Sequence, residues 1–167
     1  MKVPRVHVFV CVAKYCKENK SEPLYERLRE LVKEKKLQDV TVTGSSSVGM
    51  CDIGPNIVVY PDGVWYVGVK NEDLPEIVEQ HLIKGKPVER LRITPTSPQE
   101  VRRKAFYAKL MGKDSIGKDE LIKMAAQDGF SLQWVDQQVS TGFLEVVEPA
   151  EKNLLKVSGK ARGRYSD

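Results

Sequence analysis

The spacing of apolar positions changes several times before residue 91, and each change marks a predicted element. The β-branched and aromatic residues at 6–12 predict a buried strand. Leucines at helical spacing after Ser21 predict a helix that this serine caps. Further elements are predicted in the order of a half-exposed strand at Val40 and Val42, a hairpin of 57–60 and 64–69, and a helix from Asn71 to Gly85. The order β-α-β-β-β-α favours an α/β fold in which helices cover a mixed sheet.

A second group of elements follows a predicted linker at 92–97. Pro98 is expected to open a helix whose apolar positions are Val101, Ala105, Ala108, Leu110 and Met111. A second helix at 118–127, a third from Ser131 to Gly142, and a hairpin of 143–147 and 154–157 complete the pattern. Three helices followed by a hairpin predict a small winged helix-turn-helix-like domain at 98–167, separate from a first domain at 1–91.

Composition narrows the function classes only slightly. The chain has 167 residues, of which 30% are charged and 41% are apolar, as in ordinary soluble domains. A net charge of +4 does not by itself imply nucleic acid as a partner. Neither a membrane-spanning apolar run nor a signal peptide is visible, so we expect a cytoplasmic protein without a membrane partner.

Three cysteines form an incomplete metal-binding pattern. Cys11 and Cys16 lie at the end of the first strand, and Ser47 and Cys51 at the end of the second, so a cysteine at Ser47 would complete Cys-x4-Cys … Cys-x3-Cys. Four thiolates in two close pairs are what a 2Fe-2S cluster needs. Three thiolates with one further donor also suit zinc. A third interpretation makes Cys11 and Cys16 free thiols or a redox pair, with Cys51 as a packing residue.

Four stretches of the first domain resemble the thioredoxin-like 2Fe-2S ferredoxins over about residues 5–91. They are His-Val-Phe-Val-Cys at 7–11, Gly-Met-Cys-Asp-Ile-Gly-Pro at 49–55, Val-Val-Tyr-Pro-Asp-Gly-Val-Trp-Tyr at 58–66 and Gly-Lys-Pro-Val-Glu-Arg-Leu at 85–91. The resemblance implies a thioredoxin-like fold, a 2Fe-2S cofactor in two surface loops, one-electron transfer to a redox partner protein, and often a homodimer. By the same resemblance Cys11, Cys16 and Cys51 match three ligands, and Ser47 stands at the fourth.

Three explanations of Ser47 remain open at this point. A serine alkoxide is a harder donor than a thiolate, so ligation through Ser47 would lower the reduction potential and make the cluster labile. The serine is otherwise an engineered substitution, or it fills a turn beside Ser45 and Ser46 in a chain whose cluster is absent. Gly49 and Gly54 are expected to let backbone amides approach a cluster.

Two aromatic residues raise the question of a dimer surface. Trp65 and Tyr66 are neighbours in a strand and therefore face opposite sides. One is expected in the core and the other at a homodimer interface, although a core role for both is an open alternative.

Two main function classes follow, an electron carrier and a regulator. The first uses the C-terminal domain for docking, and the second is a redox- or iron-responsive DNA-binding protein. The third predicted helix offers Gln133, Gln137, Gln138, Ser140 and Thr141 but no Lys or Arg, whereas phosphate contacts need cations. The cations expected to contact nucleic acid are Lys156, Lys160, Arg162 and Arg164 in the wing and tail. The electron carrier is favoured, a cluster-free structural module is a third interpretation, and no catalytic residue pattern predicts an enzyme.

Overall fold

The computed structural model describes residues 3–166. The chain divides between Thr94 and Pro95 into two compact units, each with its own buried core. No helix within the described residues is both long enough and apolar enough to span a bilayer.

A four-stranded mixed sheet forms the centre of the first unit. Its strands are β1 Val6–Cys11, β2 Val40–Ser45, β3 Ile57–Tyr60 and β4 Val64–Tyr66, in the spatial order β2-β1-β3-β4. The β1–β2 pair is parallel and the other two pairs are antiparallel. The predicted mixed sheet with covering helices is therefore confirmed. The strand at 64–69 is shorter than predicted, because it ends at Tyr66.

The α-helical segments described in this unit include one that was not predicted. They are α1 Lys14–Glu18, α2 Ser21–Glu34, and α3 Leu74–Glu76, which continues as a π-wound turn over Ile77–Ile83. The predicted cap at Ser21 is wrong. Lys20 takes the capping position at φ 63°, and Ser21 is the first residue of the helix and is buried. Asn71 begins a short 3-10 turn, Asn71–Asp73, ahead of α3 rather than capping it.

The core of the first unit lies on one face of its sheet. Alternate residues of β1, namely Val6, Val8 and Val10, pack with the leucine stripe of α2 in a single buried cluster. Leu24 and Leu28 of that stripe are almost completely buried. Burial of each such side chain contributes about 1.5–3 kcal/mol to the free energy of folding. The packing of α2 therefore holds in place the strand that carries Cys11.

A buried polar network ties the end of the sheet to the π-wound turn. The Tyr66 hydroxyl lies 2.7 Å from His81 Nδ1 and accepts the Val88 N–H at 3.0 Å. His81 Nε2 lies 2.9 Å from the carboxylate of Asp62. Burial raises the pKa of Tyr66 to about 12, because the ionised phenol would lose its hydration.

The second unit combines four helices with a small antiparallel sheet. Its elements are α4 Pro98–Met111, β5 Ile116–Gly117, α5 Lys118–Gln127, α6 Trp134–Ser140, β6 Leu144–Val146, β7 Leu154–Val157 and α7 Gly159–Tyr165. The strand order is β5-β7-β6. Its core is aromatic, with Phe106 meeting Trp134 edge to face at 5.1 Å and Tyr107 stacked on Tyr165 at 4.6 Å.

The buried face of α4 differs from the predicted one. Of the predicted positions, Leu110 is buried and Met111 packs against the core, but Val101, Ala105 and Ala108 are exposed. Arg103, Phe106 and Tyr107 are buried instead. The buried residues of α4 recur at the three- and four-residue spacing of one helix face, as the predicted residues do. The two faces differ in size, because aromatic rings bury far more apolar area than alanine methyl groups. The larger side chains therefore determine which face of α4 packs inward.

Three further boundaries depart from the sequence expectations. The third helix begins at Trp134 with Gln133 as its cap, so Ser131 does not cap it. The tail beyond β7 forms α7, with the Ser158 hydroxyl accepting the Ala161 N–H at 3.1 Å. Part of the predicted linker still bonds to the first sheet, because Ile93 N–H donates to the Trp65 carbonyl at 2.9 Å.

Candidate metal centre

Three separate segments bring the cysteines to one place. Cys11 is the last residue of β1, Cys16 lies in α1, and Cys51 opens a short 3-10 turn, Cys51–Ile53. The three sulfur atoms lie within 4.8 Å of one another, and Cys11 Sγ is 3.8 Å from Cys51 Sγ. All three residues are buried.

Ser47 lies beside this three-cysteine site. Its hydroxyl oxygen is 3.2 Å from Cys51 Sγ and accepts the Gly49 N–H at 3.0 Å. The hydrogen bond to Gly49 is of the kind that serine makes in a turn, so it supports the turn explanation as well. The same geometry places an oxygen atom that could bind a metal next to the thiols. Ser47 can therefore stabilise the turn and act as a metal ligand at the same time.

The crowding of the thiols has an electrostatic consequence. Hydrogen bonds from Cys16 and Cys51 lower the pKa of Cys11 to about 3, because they stabilise its thiolate. The contacts with Cys11, the largest cause, and with Cys51 raise the pKa of Cys16, and the contact with Cys11 is also the largest cause that raises the pKa of Cys51. Three thiolates so close together repel one another and need a multivalent cation to coexist. The donor set therefore fits a thiophilic metal or an iron-sulfur cluster.

Two glycines of the second loop act in different ways. Gly49 has φ 86°, a backbone conformation that favours glycine. Gly54 has φ −75°, so the special conformation expected there is absent, and its role is spatial. A Cβ at this position would lie 2.8 Å from Cys16 Sγ and 3.2 Å from the Cys51 carbonyl. The absence of a side chain at Gly54 lets the two loops approach each other.

Sequence reasoning missed Asn56, which follows this loop. It is 1% exposed, and its Nδ2 donates to the Met50 carbonyl at 2.7 Å and lies 3.9 Å from Cys16 Sγ. An asparagine between Pro55 and an apolar strand is an ordinary turn residue in a sequence. Only its burial distinguishes it, and burial is not visible before the chain is folded.

The surroundings of the site limit its contact with water. Met50 is fully buried beside Cys51, and Val48 and Tyr15 pack against the three cysteines while partly exposed. Lys14 Nζ lies over the Tyr15 ring, 5.2 Å from its centroid. The site is therefore close to the surface but covered by apolar side chains.

The residues predicted to contact nucleic acid have partners within the second unit. Lys156 pairs with Glu145 at 3.4 Å, and Arg164 pairs with Glu100 at 3.2 Å. Lys160 donates to the Thr141 carbonyl at 2.7 Å. The fourth residue, Arg162, donates to the Met111 carbonyl at 3.5 Å.

The third helix also differs from the expected recognition surface. Gln137 and Gln138, two of the polar residues that this helix offered for contact with DNA, are both buried. Gln138 Oε1 accepts a hydrogen bond from the Tyr107 hydroxyl at 2.9 Å, so it belongs to the core. Gln133 and Ser140 remain exposed on this helix or at its start.

Comparison with known proteins gives close relatives for the first half of the chain. No family model matches. The curated "Ferredoxin, 2Fe-2S" of Aquifex aeolicus is 39% identical over 102 residues, in an alignment that covers 55% of this chain and 92% of that protein. The protein of the same name from Clostridium pasteurianum is 36% identical over 99 residues, covering 54% of this chain and 97% of its own length.

Solved structures agree with these relatives. The wild-type thioredoxin-like [2Fe-2S] ferredoxin from Aquifex aeolicus matches with a TM-score of 0.52 and 39% identity, over 55% of this chain and 99% of that one. A variant of it with one cysteine replaced by serine matches with a TM-score of 0.51 and 41% identity, over 53% of this chain and 98% of that one. Through its N-terminal unit, this chain belongs to the thioredoxin-like 2Fe-2S ferredoxin family.

Proposed function

We propose that this protein is a one-electron carrier, or an electron-transfer subunit, that works with a redox partner protein. Its 2Fe-2S cluster would be held by Cys11, Cys16 and Cys51, with Ser47 as the fourth donor. The observation that carries the proposal is the convergence of three buried sulfur atoms within 4.8 Å in a chain of this family. A bound 2Fe-2S cluster supplies one reversible electron at a potential that its ligands and surroundings determine.

The residues of the chain have distinct tasks in this proposal. The three thiols hold the cluster as thiolates and supply the charge that iron needs. Gly54 leaves room for Cys16, and Met50 with Val48 excludes water from one side. A site covered by a thin apolar layer is suited to electron transfer, because a partner can approach without exposing the site to solvent.

The position of Ser47 supports the proposal that its hydroxyl oxygen is a ligand of the cluster. Its oxygen is 3.2 Å from Cys51 Sγ, which is close enough for the two atoms to share one metal. The Gly49 N–H would stabilise negative charge on this oxygen. An alkoxide is a harder donor than a thiolate, so the cluster should have a lower potential and a shorter lifetime than one with four thiolates.

A homodimer would use the face of the first sheet that lies opposite the core. This outer face carries His7, Phe9, Tyr60 and Trp65. His7 stacks on Phe9 at 4.1 Å, Phe9 meets Tyr60 edge to face, and Tyr60 is 46% exposed. Aromatic residues are enriched at interfaces. Light scattering of the protein and of Tyr60→Glu should give a dimer and a monomer, and a monomeric parent chain would contradict this assignment.

The second unit is proposed as a winged helix-turn-helix-like docking module. Three helices with an intervening short strand, then the β6–β7 hairpin, follow the order that this class requires. Docking is favoured over DNA binding because Gln137 and Gln138 lie in the core and the four candidate cations have internal partners. Phosphate binding would first have to break or share these contacts.

The test of the cluster is an absorption spectrum with iron, acid-labile sulfide and zinc assays of anaerobically purified protein. We expect about two irons and two sulfides per chain, as the cluster type requires. Cys16→Ala should abolish this content, and Ser46→Ala, at the exposed neighbour of Ser47, should leave it unchanged. Stoichiometric zinc without sulfide after assembly under iron-replete conditions would overturn the electron-carrier proposal.

A further inference from the structure

We propose that Asn56 is the positioning residue of the three-cysteine site, and that its side-chain amide donates a hydrogen bond to the Cys16 sulfur. The inference deepens the proposed function and rests on it for the identity of the bound group. Asn56 holds no metal atom itself. It acts through the segments that carry the thiols.

The contacts of Asn56 reach all three of these segments. Its backbone carbonyl oxygen accepts the Cys11 N–H at 3.0 Å. Its Nδ2 donates at 2.7 Å to the carbonyl of Met50, the residue before Cys51. The same nitrogen lies 3.9 Å from Cys16 Sγ. One residue therefore fixes the end of β1, the 3-10 turn of Cys51 and the cysteine of α1 relative to one another.

The orientation of the amide follows from its surroundings. The Met50 carbonyl can only accept, so it requires the NH2 group of Asn56 on its side, and the opposite orientation would place two oxygens 2.7 Å apart. With one N–H used by Met50, the second is available to Cys16 Sγ. The orientation therefore makes Asn56 a donor toward the sulfur.

The other end of the amide supports a role beyond packing. Asn56 Oδ1 is buried and has no hydrogen-bond partner among residues 3–166. An unpaired buried carbonyl is destabilising, so an apolar side chain of the same size would pack here at a lower cost. The gain that offsets this cost is the NH2 group, which reaches Met50 and Cys16 together.

The expected chemical effect has a defined direction. An N–H directed at a ligand sulfur stabilises its negative charge, and reduction of an iron-sulfur cluster adds negative charge to the same atoms. Asn56 should therefore raise the reduction potential and strengthen the binding of any thiophilic metal at this site.

The test compares Asn56→Leu and Asn56→Ala with Tyr66→Phe. Leucine has the shape of asparagine without its donors, and alanine removes the amide without adding bulk if leucine does not fold. Tyr66→Phe breaks a buried hydrogen-bond network elsewhere in the same unit and is the control for general destabilisation. The readouts are the reduction potential of the loaded protein and the affinity of the metal-free protein for Co2+, measured by thiolate-to-cobalt absorption.

Both Asn56 variants should lower the potential and weaken Co2+ binding by about 10-fold or more, the usual effect of losing such an outer partner. Tyr66→Phe should lower the melting temperature and leave both readouts at their parent values. Unchanged potential and Co2+ affinity in the Asn56 variants, or equal changes in Tyr66→Phe, would overturn the inference. A parent chain that binds Co2+ but assembles no cluster would refute the proposed function alone, since the Co2+ comparison still decides the role of Asn56.

Discussion

The hydroxyl oxygen of Ser47 lies 3.2 Å from the sulfur of Cys51, and in the proposed function it is the fourth ligand of the cluster. Ser47→Cys should therefore lengthen the lifetime of the cluster in air by roughly tenfold and raise its potential, because thiolate matches iron better than alkoxide does. Absorbance decay and a redox titration measure the two effects. Ser46→Cys places a thiol one position away as the control, and equal lifetimes for the parent and Ser47→Cys would show that Ser47 is not a ligand.

The close approach of Gly54 to Cys16 gives a second prediction. Gly54→Ala would place a methyl carbon 2.8 Å from Cys16 Sγ, so the loop or α1 must move. We expect a loss of about 1–3 kcal/mol in the free energy of unfolding and a lower iron content per chain. The control is Gly112→Ala, where an added Cβ meets nothing within 4 Å. An unchanged iron content in Gly54→Ala would mean that the space beside Cys16 is not needed.

The buried hydroxyl of Tyr66 predicts a loss of stability in alkali. Its pKa is about 12 in the folded chain and about 10 when unfolded, so the unfolded state releases the proton first. Stability from this group is full below pH 10 and falls by about 2–3 kcal/mol as the pH rises to 12. Urea unfolding across this range should show that slope in the parent chain, and Tyr66→Phe should lack it.

The exposed Tyr60 provides the comparison for this experiment. Tyr60→Phe removes a phenol that is 46% exposed, so the alkaline slope should remain. Tyr66→Phe should also cost about 1–3 kcal/mol at neutral pH, because Val88 N–H and His81 lose a buried partner. A slope that persists in Tyr66→Phe would assign it to another group.

The internal partners of the C-terminal cations predict weak DNA binding. A titration at near-physiological salt should give only non-specific affinity, with a Kd of about 10⁻⁴–10⁻⁶ M, whether the protein is oxidised or reduced. Neutralising Lys156, Lys160, Arg162 and Arg164 together should remove what binding there is. Sequence-specific binding in the nanomolar range would refute the docking assignment and favour the regulator.

Much of the first unit could be predicted from local patterns. The β-branched run at 6–12 and the leucines of α2 specify a strand and a helix through neighbours in the chain, and the cysteine spacing identified the residues that converge. Their convergence still depends on folding. Cys11 and Cys51 are forty positions apart in the sequence and lie 3.8 Å apart, because Cys11 ends β1 and the turn that holds Cys51 precedes β3, the strand that pairs with β1.

The remaining features were decided by tertiary structure. The contacts of the Asn56 side chain with Met50 and Cys16, and the close approach of Gly54 to Cys16, form only when separate loops pack together. No local pattern in the sequence encodes such packing. In α4, Phe106 and Tyr107 turned inward because aromatic rings gain more from burial than the alanines that fit an alternative stripe. The chain by itself determined which residues supply the chemistry, and long-range packing decided which of them touch, because burial and hydrogen-bond partners depend on segments far apart in sequence.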